Sequence, residues 1–165
     1  MGRDKAIMEF QGLTLLEHMV RLVSTVASPV CIVGREDLPD KFPGCGPLGG
    51  IQTALDVAES ELNLFVAVDL PLLSPEFLKW FCDRLSITPK LLLACRIGND
   101  FPLCLGVNRS VRSKVDRKID ESDLALHRFI RGMDVDIVTE LELQTAGFTL
   151  EMFHNLNTPE DWKGL

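Results

Sequence analysis

The sequence predicts an α/β protein, a three-layer α/β/α sandwich on a mostly parallel sheet, with all 165 residues in one domain. Two observations lead there. Short apolar runs, Val30-Cys31-Ile32-Val33, Leu64-Phe65-Val66-Ala67-Val68 and residues 91–95, have the continuous composition of strands buried on both faces. Between them lie stretches whose apolar residues recur at helical spacing, so strand and helix alternate as a sheet covered on both sides requires. A hydrophobic fraction of 46% with 25% charged residues excludes disordered and fibrous classes. The length suffices for a core without disulfides or metal.

The opening, residues 1–5, is polar, and residues 6–10 read as a brief strand or extended segment. From Leu13, the residues Leu15, Leu16, Met19, Leu22, Val23 and Val26 share one helical face, with Glu17, His18 and Arg21 mostly opposite. Pro29 then opens the strand at residues 30–33, which ends in Gly34. Residues 35–45 hold two prolines, a glycine and several charges, the composition of a connection. Gly46-Pro47-Leu48-Gly49-Gly50 follows, and because Ile51, Ala54, Leu55 and Ala58 recur at helical intervals, this glycine loop opens a helix. Glycines let main chain approach a ligand closely, and a helix N-terminus offers unpaired N–H groups that suit phosphate or a polar base edge.

Residues 64–68 form a second strand, stopped by Asp69-Leu70-Pro71. Ser74 as N-cap and Pro75 at the first helical position start a helix that runs to about Leu85. Residues 91–95 and 101–107 are strands separated by the turn signal Gly98-Asn99-Asp100, the pattern of a hairpin. Residues 111–119 and 124–130 read as short helices, 135–138 as a strand and Phe153-His154-Asn155-Leu156 as a last short strand. Thr158-Pro159-Glu160-Asp161 opens a terminal turn or helix.

Net charge is −7, from 17 Lys and Arg against 24 Asp and Glu, without the basic footprint of a general nucleic-acid binder. No apolar run is long enough to cross a bilayer and the opening is not signal-like, so a cytoplasmic protein without a membrane partner is expected. The cysteines Cys31, Cys45, Cys82, Cys95 and Cys104 form no C-x-x-C pair and read as buried small hydrophobes, with Cys45 expected to be exposed and reactive. His18, His127 and His154 lack metal-ligand spacing and read as structural or surface residues.

Asp69 sits at the carboxyl end of an apolar strand, where ligands bind in such sheets. It either holds a cation, for which Mg2+ is the natural choice, or caps the turn at Leu70-Pro71. Lys5 by itself reads as an ordinary exposed lysine. Asn155 and Asn157 are at strand spacing and could hold one polar ligand together; alternatively Asn157 or Thr158 caps the final helix and Asn155 is a turn residue.

Five motifs occur in order: Met1-Gly2-Arg3-Asp4-Lys5-Ala6, Gly46-Pro47-Leu48-Gly49-Gly50-Ile51, Val68-Asp69-Leu70-Pro71-Leu72-Leu73, Phe101-Pro102-Leu103 and Asn155-Leu156-Asn157-Thr158-Pro159-Glu160-Asp161. In that combination the chain resembles the molybdenum cofactor guanylyltransferase family over essentially its whole length. The resemblance implies a nucleotide-diphospho-sugar transferase-like (Rossmann-like) fold. It also implies an enzyme that joins GMP from GTP to molybdopterin, releases pyrophosphate and uses Mg2+ as cofactor. By that resemblance Lys5 contacts the GTP phosphates, Asp69 coordinates Mg2+, and Gly46, Pro47, Leu48, Gly49 and Gly50 line the guanine and ribose pocket. Asp37 would match the family's acidic residue ahead of this loop, with Asp40 as competitor. Asn155 and Asn157 would lie on the pterin side, with Pro102 in the loop beneath it.

Family members place a strand and a glycine-rich L-x-A-G-G-x-S-x-R segment ahead of the Met-Gly-x-Asp-Lys match, whereas this sequence opens on that match. The fold is therefore expected to lack the family's first strand and its triphosphate loop, with those residues preceding Met1 in the full protein. The glycines of residues 46–50 would then pack against base and ribose, and Gly49→Val is expected to weaken nucleotide binding while leaving the fold largely intact. The implied partners are GTP, molybdopterin, and molybdoenzymes or cofactor-delivery proteins. Two other readings share the motifs: a CTP-dependent molybdopterin cytidylyltransferase, and a non-catalytic nucleotide-binding or partner-binding module on the same scaffold.

Overall fold

The computed structural model describes residues 4–156, so Asn157 and the Thr158-Pro159 helix start lie outside the described residues. Where an extended opening is expected, residues 5–7 instead wind into a 3-10 turn, Lys5–Ile7, whose Ala6 N–H donates to Asp4 Oδ1 at 3.2 Å. A small hairpin follows, β1 (Glu9–Phe10) against β2 (Leu13–Thr14), its reversal made by Gln11 and Gly12 at positive φ. Thr14 begins α1 (Leu15–Ser24) with a capping box: Thr14 Oγ1 accepts from Glu17 N at 3.2 Å, and the Glu17 carboxylate accepts from Thr14 N at 2.8 Å. Leu15, Met19 and Leu22 are its buried face, as the spacing predicts.

Residues 30–33 depart from the expected buried strand. They join no sheet among the described residues, and Cys31 is exposed. Apolar composition yields a strand only where neighbouring chains take up the main-chain N–H and C=O groups. Further on, α2 (Gly46–Val57) begins at Gly46 itself, so the glycine motif is the first turn of a helix and not a loop ahead of it, with Pro47 preset for that position.

The sheet is assembled from β3 (Leu62–Val66), β4 (Leu92–Cys95), β5 (Cys104–Asn108) and β6 (Val135–Val138). Between β3 and β4 runs α3 (Pro75–Ile87), whose N-cap Ser74 accepts from Phe77 N at 3.1 Å. Its start is the one expected from Ser74 and Pro75. Between β5 and β6 come a 3-10 turn (Arg109–Val111), α4 (Arg112–Asp120) and α5 (Leu126–Arg131). After β6, α6 (Glu140–Thr145) starts with the capping box of Thr139 and Glu142. Where a last strand is expected, residues 150–153 form a 3-10 turn, and His154-Asn155-Leu156 runs on outside any sheet.

Strand order is β3-β5-β4-β6 among the described residues. β4 and β5 form the expected hairpin through the turn at residues 97–100, β5 is antiparallel to both neighbours, and β4 pairs parallel with β6. Three strands therefore point one way and β5 runs against them. Strand alternation separates two apolar cores. Leu93, Cys95, Cys104 and Val138 face α1, α3 and α6, whereas Leu92, Ala94, Leu105 and Val107 face α2, α4 and α5. The result is three layers. At Gly106 a Cβ would fall 2.6 Å from Leu85 Cδ1, so the missing side chain is what lets α3 settle onto β5. Among the described residues no helix is long and apolar enough to cross a membrane.

Candidate active site

Asp69 follows β3 at the carboxyl end of its strand, as the sequence implies. The segment is anchored from both sides: Leu70 and Pro71 are buried, and a His18 ring nitrogen lies 3.0 Å from the Pro71 carbonyl oxygen. His18 is thus the structural residue its spacing suggests. The Asp69 carbonyl accepts from Leu156 N at 3.1 Å, which brings Asn155, exposed, to the same edge. Pro102 arrives there as well. Its neighbour Leu103 accepts from Ala67 N at 2.8 Å, two residues ahead of Asp69.

Lys5 reaches this edge from the start of the chain, its Nζ 3.9 Å from Asp69 Oδ2, with side-chain exposures of 37% and 25%. Both groups remain open to a ligand, and both signs of charge are present. The turn carrying Lys5 is fastened by Arg35, whose Nη1 and Nη2 donate to Asp4 Oδ2 and Oδ1 at 2.8 and 3.0 Å. That pairing holds the Asp4 carboxyl below the usual carboxylate range and raises Arg35 further. Arg35 is absent from the expected site. Its one sequence signal is a basic residue placed directly after the apolar run at residues 30–33 and Gly34.

The glycine motif divides in two. Leu48 is fully buried in the core, and Gly49 is buried against the Phe42 carbonyl, whose oxygen would stand 2.7 Å from a Cβ. The close approach that Gly49 permits is therefore to the protein's own main chain. This corrects the expectation that Leu48 and Gly49 line a nucleoside pocket and that Gly49→Val leaves the fold intact. Gly46 and Pro47 are exposed, and Pro47 and Gly50 border an open cavity together with Ala6 and Arg35. Of the two competing carboxylates, Asp40 is engaged within the protein, its Oδ1 accepting from Phe42 N at 2.9 Å and Thr53 Oγ1 at 3.3 Å. Asp37 is exposed in the tight turn between Arg35 and Leu38.

Residues 1–137 match the MobA-like NTP transferase domain. The chain belongs to that family. The "Molybdenum cofactor guanylyltransferase" of Xanthomonas euvesicatoria is 30% identical over 100% of this chain and 87% of that protein. The "Probable molybdenum cofactor guanylyltransferase" of Thermococcus kodakarensis is 34% identical over 99% of this chain and 87% of that one. Among solved structures, molybdopterin-guanine dinucleotide biosynthesis protein A from Archaeoglobus fulgidus superposes with a TM-score of 0.79 at 21% identity, covering 99% of this chain and 89% of that one. A 2-C-methyl-D-erythritol 4-phosphate cytidylyltransferase from Thermus thermophilus shares the fold at TM-score 0.67 and 16% identity, over 95% and 89% of the two chains.

Like its relatives, this NTP transferase is a nucleotidyltransferase, and its site has the character that chemistry calls for. The described residues contain no cluster of three or more metal-ligating side chains. Asp69 alone fits a divalent cation held by one protein carboxylate together with substrate phosphates, and does not fit an all-protein cage. The transferase has no strong thiol nucleophile in its interior: burial pushes Cys95 up to about 12 and Cys104 well above the ordinary thiol value. Cys45 is half-buried at the N-cap of α2, short of the exposure expected for it.

Proposed function

We propose that this chain transfers GMP from GTP to molybdopterin, forming molybdopterin guanine dinucleotide and releasing pyrophosphate. The observation that carries this reading is the Lys5–Asp69 pair, 3.9 Å apart at the carboxyl edge of the sheet and adjoining the exposed first turn of α2. The names of its relatives supply the substrates.

A molybdopterin phosphate oxygen attacks the α-phosphorus, the new P–O bond forms in line, and the bond to pyrophosphate breaks. Both reactants are anions, so the protein's task is to neutralise and align them, and no side-chain nucleophile is required. Lys5 donates to the phosphates and offsets the charge that grows on the leaving pyrophosphate. Asp69 would hold Mg2+, which when bound supplies Lewis-acid charge neutralisation at the phosphates. Gly46, Pro47 and Gly50 offer a main-chain surface for the nucleoside, with Asp37 nearby in sequence as a carboxylate for its polar edge. Pro102, Asn155 and Asn157 would receive the pterin. We place this reaction in the cytoplasm.

Pyrophosphate release with molybdopterin and Mg2+, measured separately with GTP and CTP, tests the assignment. GTP-dependent release that fails in Lys5→Gln is expected. Preference for CTP would replace guanylyl by cytidylyl transfer, and nucleotide binding without any release would leave a binding module only.

A further inference from the structure

Along the outer edge of β3 runs a cavity of about 780 Å³. One wall is β3 itself, through Leu64 and Val66, and the facing wall is the apolar run at residues 30–33. The other two sides are helices from opposite layers, α1 contributing Val20 and α2 contributing Ala54. Among the described residues β3 pairs only with β5, and residues 30–33 pair with no strand. Backbone on two sides and helices on the other two are the surroundings of an interior strand in a three-layer α/β sheet.

We propose that this cavity is a docking slot for one extended, apolar polypeptide segment, supplied from outside residues 4–156, that adds to β3 as a further strand. β3 has five residues, so the slot accepts a segment of about five, spanning about 17 Å at the usual strand rise. The helical cover on both faces selects a continuous apolar run over an alternating one. Charge sets the direction. Arg35 stands at the end of the slot beside Lys5 and Asp69, and Glu59 lies at the opposite end, next to the start of β3. A segment parallel to β3 places its carboxyl end toward Arg35 and its amino end toward Glu59, matching both. A second folded copy does not fit as well, because its own edge strand is bordered by helices and could not enter between α1 and α2.

Main-chain pairing would provide affinity and the apolar lining would provide selectivity, as in other cases of strand addition. The proposal needs no nucleotide chemistry and stands or falls separately from guanylyl transfer.

The test uses the whole chain and a synthetic peptide of two lysines followed by five residues drawn from Val, Ile and Leu, with free termini. At ten times its Kd, amide exchange across Leu62–Val66 is expected to slow about tenfold and the melting temperature to rise. A peptide with Asp at its centre should do neither, and Ala54→Glu, or Val20→Glu if the first variant misfolds, should abolish the effect. Equal binding of the Asp peptide, or unchanged exchange in β3, overturns the proposal. So does sedimentation as a dimer in which those amides are already protected.

Discussion

The Arg35 guanidinium donates to both carboxylate oxygens of Asp4, and so ties the connection after residues 30–33 to the turn that carries Lys5. Arg35→Gln should let the Asp4 carboxyl rise toward its ordinary range, which a carboxylate NMR titration reads directly. Because the pairing lowers Asp4, its contribution to stability is present above the unfolded-state value and is lost as pH falls through the folded one. If Lys5 depends on this tether, the same variant raises KM for GTP severalfold, and Arg35→Lys, a single donor in place of a fork, recovers only part of it.

Removing either member of the Lys5–Asp69 pair should damage chemistry more than folding, since both side chains are partly exposed. Lys5→Gln and Asp69→Asn are each expected to lower kcat/KM about 10²- to 10³-fold, the usual loss for one charge-stabilising group. Melting temperature should stay close to that of the parent. Asp69→Asn alone should also shift the divalent-metal dependence of GTP binding; an unchanged metal titration would remove Asp69 as the metal-holding group.

Gly49 and Gly50 are neighbours with opposite expected behaviour. At Gly49 a Cβ would stand 2.7 Å from the Phe42 oxygen and 3.1 Å from Cys45 Cβ, so Gly49→Val should destabilise by about 1–3 kcal/mol in urea unfolding. At Gly50 the nearest atom is Val33 Cγ1 at 3.9 Å, an ordinary contact inside a helix. Gly50→Ala should therefore stabilise by up to about 1 kcal/mol.

Glu142 is held down to about 2, first by the Thr139 main-chain N–H and then by Arg84, which also binds Asp136 and keeps its carboxyl low. Folded values below unfolded ones mean stability that is complete above about pH 4.5 and declines as pH falls toward 2. The urea midpoint should drop between pH 6 and pH 3, and by less in Glu142→Gln.

Local chemistry made much of this protein readable from its residues. Helix starts at Ser74 and Pro75, the apolar face from Leu15 to Leu22, and the reversal at residues 98–100 each depend on neighbours in sequence, and each is where the spacing puts it. The T-x-x-E signal at Thr139 was equally local and went unread, so α6 was missed. Residues 30–33 failed for another reason, since strand formation depends on what lies alongside. Within the site, strand-end logic located Asp69, but no spacing rule could have shown that Asp4 and Lys5 sit beside Arg35 and Asp69, or that Gly49 faces Phe42. Those are meetings between distant segments.

The hydrogen bond from Leu156 N to the Asp69 carbonyl has a bearing on how the protein is made. Lys5 is among the first residues translated and Leu156 among the last, yet both converge on Asp69. A nascent chain still on the ribosome can form its helices and the β4–β5 hairpin early, because those contacts are short-range. It cannot close the edge around Asp69 until residue 156 has cleared the exit tunnel, so competence should appear abruptly and late in synthesis.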